Sequence, residues 1–153
     1  MAEMTSWSRK AAASGKSIAL VPTMGYFHEG HLSLMRLAGR LADKVVVSLF
    51  VNSLQFGPGE DLGKYPRDFE RDADMAEKMG VDILFVPRDE DMYPSDFTGR
   101  VLIGGITDTL CGRQRPEHFA GVTTVVAKLF NIIKPDSAVF GKQEVFCSDC
   151  HRP

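Results

Sequence analysis

Two histidines stand three residues apart in the segment VPTMGYFHEGHLSLM, which covers residues 21–35. His28 and His31 have Gly30 between them and Gly25 shortly before them, where an apolar run of strand length meets apolar residues at helical spacing. The N-terminus of a helix attracts anions through its free N–H groups and its dipole. Imidazoles at that place can donate hydrogen bonds to phosphate oxygens and can move a proton near pH 7. The pair is therefore a candidate for phosphate chemistry.

Two other interpretations of the histidine pair stay open. Histidines one helical turn apart can share a zinc ion, but such a site needs further ligands, and no nearby cysteine or third histidine supplies one. The pair can also be two exposed side chains at a helix start. We predict phosphate contacts and no metal ligands at this place.

Apolar runs of strand length recur along the chain. Residues 17–21, 44–51 and 81–86 predict buried strands, and shorter runs at 100–104 and 137–140 predict two more. The second run, KVVVSLFV, is apolar without alternation, which is typical of a parallel sheet covered on both faces.

Helical patterns separate these runs. The first 14 residues predict a short polar helix or a frayed start. The spacing of apolar residues predicts three more helices over 32–41, 66–79 and 119–133. The third helix has an expected apolar stripe and C-cap at Phe69, Ala73, Ala76, Met79 and Gly80. Strands that alternate with helices indicate an α/β fold with a doubly wound parallel sheet.

The long loop after the second strand is the other candidate site. Residues 52–64 are rich in Gly, Pro, Asn and Asp, and long loops in compact domains tend to carry function. Gln55 in this loop can both donate and accept hydrogen bonds. On the residues alone, a solvated loop side chain is the stronger interpretation of Gln55.

The composition sets broad limits on the class of protein. The chain has 153 residues, 44% of them hydrophobic and 25% charged, with 18 basic and 20 acidic residues and a net charge of −2. This balance favours neither nucleic acid nor an anionic membrane as a partner, and no apolar run reaches the length of a membrane span. The N-terminus has no secretory h-region, and three cysteines, an odd number, favour reduced thiols in the cytoplasm.

The stretch PTMGYFHEGHLSL resembles the nucleotide-binding signature of the pantothenate synthetase (pantoate–β-alanine ligase) family, in the superfamily of HxGH nucleotidyltransferases. Four further blocks match in order: SLFVNSLQF at 48–56, EDLGKYPRD at 60–68, RPEHFAGVTTVVAKLFNIIKPD at 115–136 and VFG at 139–141. The resemblance covers the chain from Lys16 to Gly141. It implies a Rossmann-like ATP- and pantoate-binding domain over 1–141, followed by a short divergent tail over 142–153.

The resemblance also implies a reaction. Members of the family activate the carboxylate of pantoate with MgATP to give pantoyl adenylate and pyrophosphate, and the amine of β-alanine then attacks the adenylate to release pantothenate and AMP. The implied partners are therefore small molecules (pantoate, β-alanine and ATP with Mg²⁺), together with a second copy of the chain in a homodimer.

The family's site residues map onto this sequence by position. His31 is the implied proton donor, with His28 assisting on the phosphates. The implied ATP-binding residues are Pro22, Thr23, Met24, Gly25, His28, Gly30, His31, Gly141, Lys142 and Glu144. The implied substrate-binding residues are Gln55, Asn52 and Met24. Arg115 and His118 are candidates for contacts to anionic substrate, whereas Asp61, Tyr65, Pro66 and Arg67 fit a family block and a helix start equally well.

The sequence after Gly141 departs from the family pattern FG-x-K-D-x-Q-Q. Here it reads FGKQEVFCSDCHRP, so Gln143 stands at the lysine position, Glu144 at the aspartate, and Phe146 and Cys147 at the glutamines. The family's chain also continues into a loop that clamps the triphosphate and a smaller C-terminal domain. We therefore expect a truncated form that binds ATP weakly and catalyses the full reaction poorly.

Three alternatives remain beside this expectation. The string CSDCH, with Cys147, Cys150 and His151, has the spacing of a haem or zinc motif, but we interpret it as accidental. The chain can be a different HxGH-type nucleotidyltransferase with another acceptor. It can also be a catalytically inactive fragment that self-associates.

Overall fold

The computed structural model describes residues 1–57, 62–104 and 116–141. Within these ranges four strands form one parallel sheet in the order β3-β2-β1-β4. The strands are β1 (Ile18–Thr23), β2 (Lys44–Leu49), β3 (Ile83–Phe85) and β4 (Ser137–Ala138). The strand order reverses beside β1, because β2 and β3 follow on one side and β4 returns on the other. In an open α/β sheet, ligands bind at such a switch point, outside the carboxyl ends of the strands.

Helices cover both faces of the sheet, as the apolar runs predict. They are α1 (Ala2–Ala13), α2 (Glu29–Leu41), α3 (Phe69–Lys78), α4 (Asp89–Met92) and α5 (Pro116–Ile133). Short 3₁₀ turns lie at Ser53–Gln55 and Leu62–Lys64. No helix in the described ranges combines the length and the apolar character that crossing a membrane would need.

Two apolar clusters hold these layers together. On one face of the sheet, Ile18 and Leu20 of β1 pack with α1 and α5, including Leu129 and Ile133. On the other face, the intervening β1 residues Ala19 and Val21 pack in a second cluster with residues of α2 and α3, which includes Met35, Ala38 and Ala76. Because successive strand side chains point to opposite faces, a strand buried on both faces must be apolar throughout. The structure therefore confirms the Rossmann-like α/β fold.

The prediction of a strand over 100–104 is wrong. These residues form no strand, and their backbone is bonded to α5 instead: the Val101 N–H donates to Thr124 Oγ1 at 3.0 Å, and Thr123 Oγ1 donates to the Val101 carbonyl. Leu102 in the centre of the run is 75% exposed. The run has strand composition, but hydroxyl groups of α5 hydrogen-bond its backbone in place of a neighbouring strand.

The predicted apolar stripe of the third helix is also partly wrong. The helix begins at Phe69 and not near Pro66, because Asp68 caps it by accepting a hydrogen bond from the Arg71 N–H at 3.2 Å. Phe69 is 57% exposed, and the buried positions of α3 are Asp72 and Ala76. Gly80 closes the helix end with φ +73°, as the sequence predicts.

Strand β1 extends further than the sequence predicts. We expect Pro22 to end it, but Pro22 and Thr23 continue the parallel register opposite Ser48 and Leu49 of β2. The extension carries the chain to the carboxyl edge of the sheet before it turns into α2.

Candidate active site

The histidine loop, which we define as residues 24–31, joins β1 to α2 through a tight turn. Gly25 and Tyr26 both have left-handed backbone conformations, with φ +91° and +53°. A Cβ at Gly25 would lie 3.1 Å from Asp72 Oδ2 and 3.2 Å from the Leu49 side chain. Thr23 fixes the entry to the turn, because its hydroxyl donates to the Ser48 carbonyl at 2.7 Å and accepts from the Gly25 N–H at 3.3 Å. The turn therefore requires glycine for both its conformation and its packing.

The two histidines cap α2 reciprocally. His28 is the N-cap residue and its Nδ1 accepts from the Gly30 N–H at 3.1 Å, while His31 Nδ1 accepts from the His28 N–H at 3.3 Å. The ring centroids lie 4.2 Å apart. Because each Nδ1 is an acceptor, a neutral imidazole at either position carries its proton on Nε2. The cap thus uses each Nδ1, so Nε2–H is the group that either neutral ring can offer to a ligand.

Gly30 is necessary for this arrangement. A Cβ at this position would lie 2.7 Å from His28 Cε1 and 2.9 Å from His28 Nδ1, well inside van der Waals contact. The His28 ring can fold back over the first turn of α2 only because residue 30 has no side chain.

Burial keeps His31 neutral at pH 7. Its partial burial lowers the pKa of His31 below the ordinary value of 6.5, and the neighbouring His28 lowers it further, whereas the carboxylate of Asp72 opposes both effects. A neutral His31 can accept through Nδ1 and donate through Nε2 at once, which the capped pair requires. Protonation would place an N–H on Nδ1, directed at the N–H of His28.

We expect the chain to lose stability as the pH falls below 6.5, in part because of His31. Since its pKa is lower in the folded chain than in the unfolded chain, the unfolded state binds more protons between the two values. The contribution is therefore complete above the unfolded pKa and is lost as the pH falls through the folded pKa. Urea unfolding midpoints measured from about pH 7.5 to about pH 5.5 test this. A His31→Gln variant should show a flatter dependence, and equal slopes for the two proteins would contradict the prediction.

A chain of hydrogen bonds connects the loop after β2 to the histidine loop. The Tyr93 hydroxyl donates to Asn52 Oδ1 at 2.6 Å, and Asn52 Nδ2 donates to Gln55 Oε1 at 3.1 Å and to the Gly121 carbonyl at 3.1 Å. Gln55 Nε2 in turn contacts Met24 Sδ at 3.0 Å. Asn52 itself is 1% exposed, so its amide is buried at the centre of these three bonds. The structure thus brings three of the implied site residues together.

Helix α5 presses directly on the 3₁₀ turn that carries Gln55. A Cβ at Gly121 would lie 2.4 Å from the Leu54 carbonyl oxygen and 2.6 Å from the Gln55 backbone nitrogen. His118, one turn earlier on α5, has its Nδ1 2.9 Å from the Gln55 carbonyl oxygen. His118 therefore contacts the backbone of the turn.

We expect Tyr93→Phe to destabilise the chain by about 1–3 kcal/mol, the usual cost of leaving a buried polar group without its partner. The change removes the donor to Asn52 Oδ1 while keeping the aromatic ring, which packs near Phe50 and Phe97. Urea denaturation measures the loss. Tyr26→Phe, at a ring that is about half exposed, is the control and should change the midpoint little. Equal midpoints for Tyr93→Phe and wild type would contradict the role of this hydroxyl.

A cleft of about 400 Å³ opens beside the histidine loop at the carboxyl ends of β2 and β3. Its walls include Met24, Gly25, Arg67, Phe69 and Asp72. The exposed ring of Phe69 faces this cleft, which explains why it does not join the apolar core. The Arg67 side chain donates to the Leu62 carbonyl at 3.4 Å, within the segment before α3.

Three residues that the sequence did not single out support the site. Asp72 accepts hydrogen bonds from the histidine loop, Tyr93 begins the hydrogen-bond chain that leads through Asn52 to Gln55, and Gly121 permits the close approach of α5. Gly121 had a signal, because glycine inside an amphipathic helix costs about 1 kcal/mol and usually has a packing reason. Asp72 lies four residues before Ala76, on the same stripe of α3, and that spacing was its signal. No sequence pattern pointed to Tyr93.

Several residues discussed from the sequence lie outside the described ranges. These are the implied ATP-binding residues Lys142 and Glu144, the candidates Asp61 and Arg115, and the divergent tail positions Gln143, Phe146, Cys147, Cys150 and His151. Gly141 is the last described residue and follows β4 across the switch point from β1.

Comparison with known proteins gives one consistent family. The family model described as pantoate-beta-alanine ligase matches residues 1–147. A pantothenate synthetase of Heliobacterium modesticaldum is 57% identical over 142 residues, which are 93% of this chain and 50% of the relative. One from Geobacter sulfurreducens is 58% identical over 144 residues, covering 94% of this chain and 51% of the relative. This chain therefore spans about half the length of these curated relatives.

Solved structures agree with this result. A pantothenate synthetase from Thermus thermophilus superposes with a TM-score of 0.79 at 49% identity, covering 86% of this chain and 49% of that one. A pantoate-beta-alanine ligase from Francisella tularensis, complexed with beta-gamma ATP and beta-alanine, superposes with a TM-score of 0.80 at 36% identity, covering 88% of this chain and 53% of that one. The family-model match and the identity to these relatives and structures show that the chain belongs to the pantoate–β-alanine ligase family.

Proposed function

We propose that this chain provides the ATP- and pantoate-binding half of a pantoate–β-alanine ligase. In the first step, a carboxylate oxygen of pantoate forms a bond to the α-phosphorus of ATP, and the bond from that phosphorus to the bridging oxygen breaks to release pyrophosphate. In the second step, the amine of β-alanine attacks the acyl carbon, AMP leaves and the amine loses a proton. The observation that carries the proposal is the capped pair His28 and His31, on the same loop as Met24, which contacts Gln55.

The histidine pair suits the first step because charge builds on the phosphates as the bond to pyrophosphate breaks. The Nε2–H donors of the two imidazoles and the N-terminus of α2 favour that charge without a proton having to move first. The family resemblance implies that His31 also supplies a proton to the leaving oxygens. That role would need the imidazolium form, because a neutral imidazole donates a hydrogen bond but does not give up its Nε2 proton. Pro22, Thr23, Met24, Gly25 and Gly30 lie on the same segment, and Gly141 follows the strand on the other side of the switch point.

Mg²⁺ fits this site as a companion of the phosphates. The ion prefers oxygen ligands and usually keeps several waters together with substrate phosphates. The histidine pair offers N–H donors, which suit phosphate oxygens and not a cation. We therefore propose that the ATP phosphates would hold Mg²⁺, beside Glu144, which the resemblance implies as an ATP-binding residue. The ion would supply charge neutralisation at the triphosphate.

Gln55 is the proposed contact to pantoate and then to β-alanine. Its Oε1 accepts from Asn52 and one Nε2 hydrogen points at Met24 Sδ, so the other Nε2 hydrogen is the donor that a substrate carboxylate or hydroxyl would meet. Asn52 uses both Nδ2 hydrogens and its Oδ1 in the interior. We propose that Asn52 serves the substrate site by holding the Gln55 amide in one orientation.

Calorimetry with MgATP and pantoate-dependent exchange of labelled pyrophosphate into ATP test the proposal. The expected result is saturable ATP binding and an exchange signal that requires pantoate. Arg40→Gln, at an exposed residue near the far end of α2, is the control and should leave both unchanged. Absence of ATP binding at millimolar concentration, together with absence of exchange, would favour an inactive self-associating fragment. Exchange that requires a different acceptor would favour another HxGH-type nucleotidyltransferase.

We propose that this chain turns over slowly by itself. Gln143 stands where the family resemblance places a lysine, and an amide cannot offset phosphate charge as an ammonium group does. Comparison of pantothenate formation by wild type and Gln143→Lys tests this, with a faster variant as the expected result.

From the resemblance and the cysteine count we also propose a cytoplasmic homodimer. Light scattering of the purified chain would check the dimer.

A further inference from the structure

Asp72 is a buried carboxylate on α3. It is 1% exposed and lies next to the histidine loop, although no site motif includes it. An ionised carboxylate is costly to remove from water unless hydrogen bonds and positive charge replace its hydration. The groups that bond Asp72 therefore indicate what its burial contributes to the fold.

Two consecutive backbone N–H groups of the histidine loop bond this carboxylate. The Tyr26 N–H donates to Asp72 Oδ2 at 2.6 Å, and the Phe27 N–H donates to Asp72 Oδ1 at 2.7 Å. Each oxygen thus holds one peptide group. Bonds of this kind to a charged acceptor are about twice as strong as bonds between neutral groups.

Arg71 contacts the same two loop residues, Tyr26 and Phe27. One guanidinium nitrogen donates to the Phe27 carbonyl at 2.8 Å, another lies 3.6 Å from Asp72 Oδ1, and the group stacks over the Tyr26 ring at 5.2 Å from its centroid. Adjacent residues of α3 therefore clamp the loop through its N–H groups, one of its carbonyls and one of its side chains.

The conformation of the loop explains why a clamp is needed. Tyr26 has φ +53°, a strained conformation for a residue with a bulky side chain. Such residues keep their conformation only where surrounding contacts hold it. Successive N–H groups in a turn of this kind form a concave anion-binding site, and here the chain's own carboxylate fills it.

We infer that Asp72, assisted by Arg71, is a positioning residue that fixes the histidine loop so that His28 and His31 form their reciprocal cap. His28 follows Phe27 directly, so a shift of the Phe27 peptide moves the N-cap residue of α2. The consequence for ATP rests on the proposed function, whereas the consequence for the histidine pair does not.

Asp72→Asn tests the inference, with Asp74→Asn on the same helix as its control. Asn presents an NH₂ group to one of the two loop N–H groups and carries no charge, whereas Asp74 is exposed and pairs with Lys78. In wild type, nitrogen NMR of the imidazoles should show the Nε2–H tautomer for both histidines. Asp72→Asn should give mixed tautomers and weaken ATP binding about tenfold or more, as expected for the loss of a bond to a charged group. Asp74→Asn should match wild type in both.

Amide hydrogen exchange of the wild type adds a test that needs no variant. Tyr26 and Phe27 lie outside every helix and strand, and we expect both amides to be protected because each donates to the Asp72 carboxylate. Exchange at the rate of an unprotected loop would overturn the inference. So would an Asp72→Asn variant that keeps the wild-type tautomers and ATP affinity. If wild type binds no ATP, the proposed function fails, and the tautomers and amide exchange alone decide the inference.

Arg71→Gln is the second variant if Asp72→Asn does not fold. It removes the bond to the Phe27 carbonyl and leaves the carboxylate in place. We expect a smaller change in the same direction, with faster exchange at Phe27 and partial loss of the tautomer preference. Unchanged exchange and tautomers in Arg71→Gln would then overturn the role of the clamp.

Discussion

Gly121→Ala is expected to destabilise the chain by about 1–3 kcal/mol, the usual cost of overpacking a well-packed interior. The added Cβ would meet the Leu54 carbonyl oxygen at 2.4 Å and the Leu54 carbonyl carbon at 2.5 Å. Both are backbone atoms, so no side-chain rotation relieves the contact. Either α5 or the 3₁₀ turn must move, and the turn carries Gln55.

Urea denaturation measures the effect, and Gly39→Ala is a matched control. Gly39 also lies inside a helix, but its Cβ would meet only Val45 Cγ2, at 3.9 Å. Alanine should therefore stabilise α2 at this position by roughly 0.5–1 kcal/mol. The two substitutions make the same chemical change with opposite expected signs. A Gly121→Ala midpoint at or above that of wild type would show that the close approach of α5 is not required.

Gly121→Ala should also weaken the site. Displacement of the turn would break the bonds from Asn52 to the Gly121 carbonyl and to Gln55. For the proposed reaction we expect the Michaelis constant for pantoate to rise more than that for ATP. The displaced turn carries Gln55 itself, whereas bonds within the first turn of α2 hold His28 and His31.

In the proposed reaction, His31→Gln is expected to slow formation of the adenylate by about 100- to 1,000-fold, the effect of losing one donor worth roughly 2.7–4 kcal/mol in a transition state. Glutamine is a usual third helical residue of a capping box, so its side chain can still accept from the N-cap N–H. The substitution therefore keeps the cap of α2 and removes the imidazole. Stability near pH 7.5 should change by less than about 0.5 kcal/mol.

Single-turnover pyrophosphate release and urea midpoints of the same preparations separate the two roles of His31. His31→Ala should lose both the rate and about 1 kcal/mol of stability, since alanine cannot cap. A His31→Gln variant with the wild-type rate would show that the imidazole only caps the helix. A His31→Gln variant with much lower stability would show that its lower rate comes from unfolding.

The site depends on supports that come from distant parts of the chain. Asp72 of α3 holds the peptides before His28, while Tyr93 and Gly121 hold the turn that carries Gln55. Contacts between Gln55 and Met24 join the two halves. A change at any of these supports should therefore appear in the site, even though none of them belongs to the histidine motif.

Local patterning by itself determined much of the architecture of this protein. Continuous apolar runs required strands buried on both faces, and their alternation with helices required a parallel sheet with its ligand edge at the strand ends. The place of His28 and His31 follows from the same logic, because a strand, a glycine turn and a helix start are local features. The match of further motif blocks then identified the family.

Tertiary structure alone decided which backbone groups would be bonded and by what. The run at 100–104 has strand composition, yet Thr123 and Thr124 satisfy Val101 and no strand forms. Phe69 fits an apolar stripe, yet Asp72 takes the buried position because the loop offers it two N–H groups. Bonds of this kind join residues tens of positions apart, and the hydrophobic period of a segment carries no information about its distant partners.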